Sequence, residues 1–182
     1  MTKQIIPYQP QDIKEPKEIV DAVRARRGGT LMNLDRMLLN SPALTRGWNS
    51  MLKEIRQNLS LNDKHKEIGM CGVAILNRAE YEFFHHAPEF VKAGGTPEQV
   101  QELRKIGTAA FNSQLFDALE LDVIALTIAM TRDIEVPDEV MQRLNQALGP
   151  QKTVEMVAVV ATYNMVSRFL IATGIQPEDT HS

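Results

Sequence analysis

Four residues of this chain combine the types and the spacing that proton transfer needs: Glu67, Tyr81, Glu82 and His86. Glu82 and His86 are four apart within Glu80-Tyr-Glu-Phe-Phe-His-His86, so in a helix they share one face within contact distance. A carboxylate beside an imidazole favours the imidazolium, orients the ring and can shuttle a proton. Tyr81, one position away, offers a hydroxyl at the edge of the same pocket. Glu67 opens the segment Glu67-Ile-Gly-Met-Cys-Gly-Val-Ala-Ile-Leu76 and so stands at the edge of an almost wholly apolar run. An isolated Glu–His pair at helical spacing is in most proteins a surface salt bridge, and Phe83 and Phe84 read as core or subunit contacts. The cluster gains meaning only if neighbouring elements bring Glu67 to the same place.

The elements that must do this are helices throughout. Glu15-Pro16 opens a helix that runs through Arg27 and stops at Gly28-Gly29; its Arg24-Ala-Arg26-Arg27 knot suits a helix C-terminus. A short helix spans Leu31 to Leu39. Ser41-Pro42 then starts one running to about Asn58, with Leu44, Trp48, Leu52 and Ile55 on its apolar stripe. Asn62-Asp63 opens a helix to Leu76, and Asn77-Arg-Ala79 breaks it before a helix from Glu80 to Ala93. The two limbs of this hairpin are antiparallel, which puts Glu67 and His86 at comparable depth. Thr96-Pro-Glu-Gln99 is a capping-box start. Helices from Gln114 to Thr131, from Pro137, and from Pro150 to Thr173 complete the chain. No period-two segment with hairpin turns occurs, so the fold class is all-α. Residues 1–14, with Pro7 and Pro10, read as an extended arm whose Ile5, Ile6 and Tyr8 pack on a neighbour or on the chain's own body; 15–182 read as a single domain.

Composition narrows the function classes. Of the 182 residues, 43% are hydrophobic and 24% charged, with a formal net charge of −3. An acidic chain with one short basic knot does not suit nucleic acid, whose backbone calls for concentrated Lys and Arg. Val154 to Ile175 is the richest apolar stretch, but Glu155, Asn164, Ser167 and Arg168 interrupt it, so it reads as a buried helix and not a membrane span. The N-terminus shows no apolar run of signal-peptide length. A single cysteine, Cys71, excludes a disulfide framework and any Cys-x-x-Cys motif; with a reducing setting as the default, a cytoplasmic location is expected. Cys71 lies among Met70, Val73 and Ile75 and reads as inert packing, while His65 and His85 are expected to be exposed. A metal held by Glu67, Glu82 and His86 lacks the dense ligand spacing of known sites, so neither metal nor cofactor is expected.

Taken as a unit, the hairpin resembles the core of the carboxymuconolactone decarboxylase family, which includes the alkylhydroperoxidase D-like proteins. Peroxidase members of that family carry a Glu, then a Cys-x-x-Cys pair, then a His four residues after the second Cys. Laid on this chain, the Glu falls on Glu67, the cysteines on Ala79 and Glu82, a relay position on Tyr81, and the His on His86. Ser41-Pro-Ala-Leu-Thr-Arg-Gly-Trp48, Gly94-Gly-Thr-Pro-Glu-Gln-Val100 and Tyr163-Asn-Met-Val-Ser-Arg-Phe169 also resemble the family's recurring segments. The resemblance implies an alkylhydroperoxidase D-like helical bundle built around a core hairpin, assembled as a homo-oligomer, a trimer or hexamer. With both motif thiols absent, two-cysteine peroxide reduction has no attacking and no resolving sulfur. The decarboxylase branch keeps a Glu and a His, which implies an acid–base enzyme on a small organic acid or lactone. His86 is then the acid and Glu82 or Glu67 its partner, with Arg78 and Arg168 as candidate anion contacts. Two alternatives stand beside it: a peroxidase-related antioxidant protein, and a helical oligomer with a binding role alone.

Overall fold

The computed structural model describes residues 4–178, so the outermost residues of the arm and of the C-terminus lie outside it. All regular structure among the described residues is helical: α1 (Lys17–Arg27), α2 (Asn33–Leu38), α3 (Pro42–Gln57), α4 (Asp63–Leu76), α5 (Glu80–Lys92), α6 (Pro97–Leu103), a 3-10 turn (Ser113–Leu115), α7 (Ala118–Arg132) and α8 (Asp138–Thr173). The chain divides into two compact units, one of residues 1–58 with 170–182, the other of 59–169.

In the first unit, Ile19, Val20, Val23, Leu31 and Leu39 form an apolar cluster against which Ile13 of the arm packs. The basic knot does end its helix, with Gly28 at φ 70° as the left-handed cap. Its cations have further partners: Arg26 and Arg27 converge on the buried Asp35 at 3.2 and 3.0 Å. Arg24 donates to the carbonyls of Gln11 and Gly29. The arm lies along its own unit, where Gln9 N–H donates to Arg36 O and the Arg36 guanidinium sits 5.0 Å from the Tyr8 ring centroid.

The second unit is built on α4, which packs against both α5 and α7. Two glycines permit the close approach. A Cβ on Gly69 would lie 2.6 Å from Met156 Cε, and one on Gly72 would lie 2.9 Å from Thr127 Cγ2 and 3.1 Å from Ile106 Cδ1. Helix starts follow local chemistry: Asn62 accepts from Lys64 N–H, and Thr96 and Gln99 form the expected reciprocal capping box. One expected helix is broken. Instead of running on from Gln114, the chain makes a 3-10 turn and restarts at Ala118, because Asp117 and Glu120 form a second capping box. The last two expected helices adjoin without a loop within α8 and are separated at Gly149, whose φ 75°, ψ 168° is not helical. By length and composition α8 passes as a membrane span, as core helices of soluble proteins also do. Its Met156, Val159, Val160 and Tyr163 have no exposed surface.

Gly72→Ala is expected to lower stability by about 1 kcal/mol in chemical denaturation. Overpacking of about 1–3 kcal/mol outweighs alanine's helix preference of about 0.5–1 kcal/mol. Thr127 cannot swing its methyl aside, since its hydroxyl is bonded to Val123 O at 2.7 Å. Gly47→Ala, where an added Cβ meets nothing within 4 Å, is expected to stabilise.

Candidate functional site

The site begins with the reversal between α4 and α5. Asn77 caps α4, Arg78 takes the left-handed conformation at φ 59°, and Ala79 N–H donates to Ala74 O at 2.8 Å. This closes the helix end in the way a glycine usually does and sends α5 back along α4. Asn77 also donates to Asn164 of α8 at 3.0 Å, so the turn is tied to a third helix.

The reversal brings Glu67 and His86 together: Nδ1 of His86 lies 2.8 Å from Glu67 Oε2. A carboxylate only accepts, so the proton of this bond belongs to Nδ1. Both side chains are mostly covered, with 11% of the His86 surface and 15% of the Glu67 surface exposed. Glu82 is deeper, at 2%, and its Oε2 accepts the hydroxyl of Ser167 at 2.9 Å. The fully buried Tyr163 ring meets the His86 ring edge-on, with centroids 4.9 Å apart. Tyr81 is buried too, but its ring leans on His85, at 4.5 Å between centroids, on the adjoining face of α5. Of the four expected residues, Glu67 and His86 are in contact, Glu82 lies one turn before His86 on the same helix face, and Tyr81 is turned toward His85.

The remaining titratable groups have defined places. Cys71 is completely buried, and burial, with the nearby Glu67 and Glu82 carboxylates, pushes its thiol well above the ordinary range, against a smaller opposing pull from Arg104. His65 and His85 are half-buried and not exposed as the sequence suggested. The imidazole of His65 is shifted down, first by loss of hydration and against the pull of Asp117 and Glu120. Arg168 donates to Asn164 O and Oδ1 at 2.8 and 2.7 Å, and Arg78 is exposed at the turn. Arg104, which no sequence pattern singled out, lies across the Phe83 ring at 4.1 Å. Tyr163 and Ser167 stand out in the sequence only as part of a recurring segment; no local spacing ties them to α5. Among the described residues no group of three or more His, Cys, Asp or Glu side chains is arranged to hold a metal.

An all-helical chain with a Glu–His pair across a core hairpin has the architecture of the alkylhydroperoxidase D-like proteins. The chain belongs to the carboxymuconolactone decarboxylase family, whose model matches residues 42–133, the span that contains the hairpin. Solved structures of the same fold cover nearly the whole chain. A peroxidase-related protein from Silicibacter sp. TM1040 shares 18% identity over 98% of this chain and 96% of its own, with a TM-score of 0.79. An alkylhydroperoxidase AhpD core protein, peroxidase-related, from Ralstonia eutropha JMP134 shares 13% over 96% and 92%, with a TM-score of 0.80. The debrominase Bmp8, as a cysteine-to-alanine variant in complex with 2,3,4-tribromopyrrole, shares 15% over 97% and 95%, with a TM-score of 0.78. No curated protein sequence matches the chain significantly.

The native thiol should resist modification. At pH 8, labelling of Cys71 by a disulfide reagent is expected to be at least about 100-fold slower in the folded protein than in denaturant, because only the exposed thiolate reacts. Equal rates would contradict the burial of this side chain.

Proposed function

We propose that this chain is an acid–base enzyme of the carboxymuconolactone decarboxylase kind, acting on a small organic acid, lactone or related carbonyl compound. The observation that carries the reading is the 2.8 Å bond from His86 Nδ1 to Glu67, made between facing limbs of the hairpin. With Nδ1 held by a carboxylate, Nε2 is the ring atom that exchanges a proton, and the carboxylate favours the charged ring that delivers it. When carbon dioxide leaves, the electron pair of the broken carbon–carbon bond remains on the substrate, and the imidazolium supplies the proton that captures it. Glu82 is a second, more deeply buried carboxyl that can return a proton to the pair. Tyr81 supplies a hydroxyl at the edge of the site. The brominated pyrrole held by the debrominase supports a small ring compound as the ligand class. A cytoplasmic homo-oligomer is part of the same proposal.

A peroxidase-related role has one argument in its favour, the peroxidase-related description of two structural neighbours. Thiol chemistry meets an obstacle in this chain: the motif's cysteine positions hold Ala79 and Glu82, and Cys71 is enclosed.

Turnover of a panel of lactones and β-oxo or hydroxy acids should fall by about 100- to 10,000-fold in His86→Ala, the range of a lost general acid. Glu67→Gln should fall by a smaller factor, with assembly by size-exclusion unchanged in both. Full activity in His86→Ala would remove this site assignment. Peroxide consumption with a dithiol reductant, compared between the native chain and Cys71→Ser, should show no difference; a loss confined to the variant would favour the peroxidase reading.

A further inference from the structure

Helices α5 and α8 meet in matched register. Tyr163 pairs with His86 and Ser167 with Glu82, and in each helix the two positions are four residues apart. Four residues make about one turn, so each α8 side chain serves one α5 side chain. Ser167 has no exposed surface, and its hydroxyl points at a carboxylate oxygen 85 residues away in the chain. A serine within a helix more often returns its hydroxyl to the backbone of the preceding turn, so this direction is informative.

We propose that Ser167 is the positioning residue of Glu82: by donating to Oε2 it fixes the plane of the carboxyl. A carboxyl with one oxygen engaged as an acceptor cannot rotate without losing that bond, and a hydrogen bond made to the charged form favours that form over the neutral one. Cys71 on α4 feels the charge of Glu82 together with that of Glu67 and Arg104, and His86 follows Glu82 by one turn of α5 with the Tyr163 ring against it. Because Glu82 and His86 share one face, a change in the charge of one alters the titration of the other, with opposite sign. The use made of the Glu82 proton rests on the acid–base reading above; the positioning itself does not.

The test is an NMR titration without substrate, following the carboxyl carbon of Glu82, assigned by its loss in Glu82→Gln, and the ring nitrogens of His86. In Ser167→Ala the Glu82 midpoint is expected to rise by about one pH unit, the size of a lost charge-assisted hydrogen bond, while the His86 midpoint falls. Ser167→Cys, nearly isosteric and a weaker donor, should give an intermediate shift and carries the test if the alanine variant does not fold. A folded variant with both midpoints unchanged would overturn the proposal. A purely structural serine would lower thermal stability and leave the midpoints in place. Turnover is read separately: if His86→Ala remains fully active, the catalytic reading fails while the titration result stands.

Discussion

A carboxylate and an imidazole kept largely away from water stay paired only if the two backbones that carry them are held in fixed register. Here that condition falls on three residues. Asn77, Arg78 and Ala79 reverse the chain, and the bond from Ala79 N–H to Ala74 O sets where α5 begins relative to α4. Once that is set, Glu67 and His86 arrive at the same depth from opposite ends of the hairpin. The turn is itself held by Asn77 and Asn164, so the third helix enters the arrangement at its base. Glycines at 69 and 72 then let α4 approach its neighbours more closely than any other residue allows.

The chemistry follows from the gradient of burial across the cluster. The Glu67–His86 pair retains a margin of exposed surface, and Glu82 behind it retains almost none. The outer carboxyl has the His86 ring as a partner, and the inner one accepts from the Ser167 hydroxyl. Cys71 is buried and lies beside both carboxylates, and burial first, then those charges, makes the one cysteine sulfur of this chain poorly suited to act as a thiolate. Glu82 is a buried carboxyl, and its surroundings hold a polar partner for it in the Ser167 hydroxyl.

The fold was largely legible because its signals are local. Proline and glycine punctuation, capping residues and apolar stripes each act within a turn or two, and most helices start and end near the expected residues. The Glu67–His86 contact was within reach because a single short turn relates the two limbs. What escaped depended on longer range or on a competing local signal. Asp117 and Glu120 form a cap inside what looked like one continuous helix. Tyr163 and Ser167 come from a helix far downstream of α5, and nothing in their own neighbourhood announces a partner. Their helix was read as a buried element; one face of it is buried while Val154, Met165 and Ile171 are exposed, and the sequence does not show which polar residue of the inner face has which task. His65 and His85 looked exposed because the sequence does not show what packs on a helix flank.

The shared four-residue beat of α5 and α8 bears on how such a sequence is free to drift. Substitutions on the outer faces of either helix leave the pairing of 86 with 163 and of 82 with 167 untouched. A single residue inserted between Tyr163 and Ser167 turns everything after it by about 100°, which would keep the tyrosine on the imidazole and carry the serine off the carboxyl. Length, more than composition, is therefore the inherited quantity in this stretch of the chain.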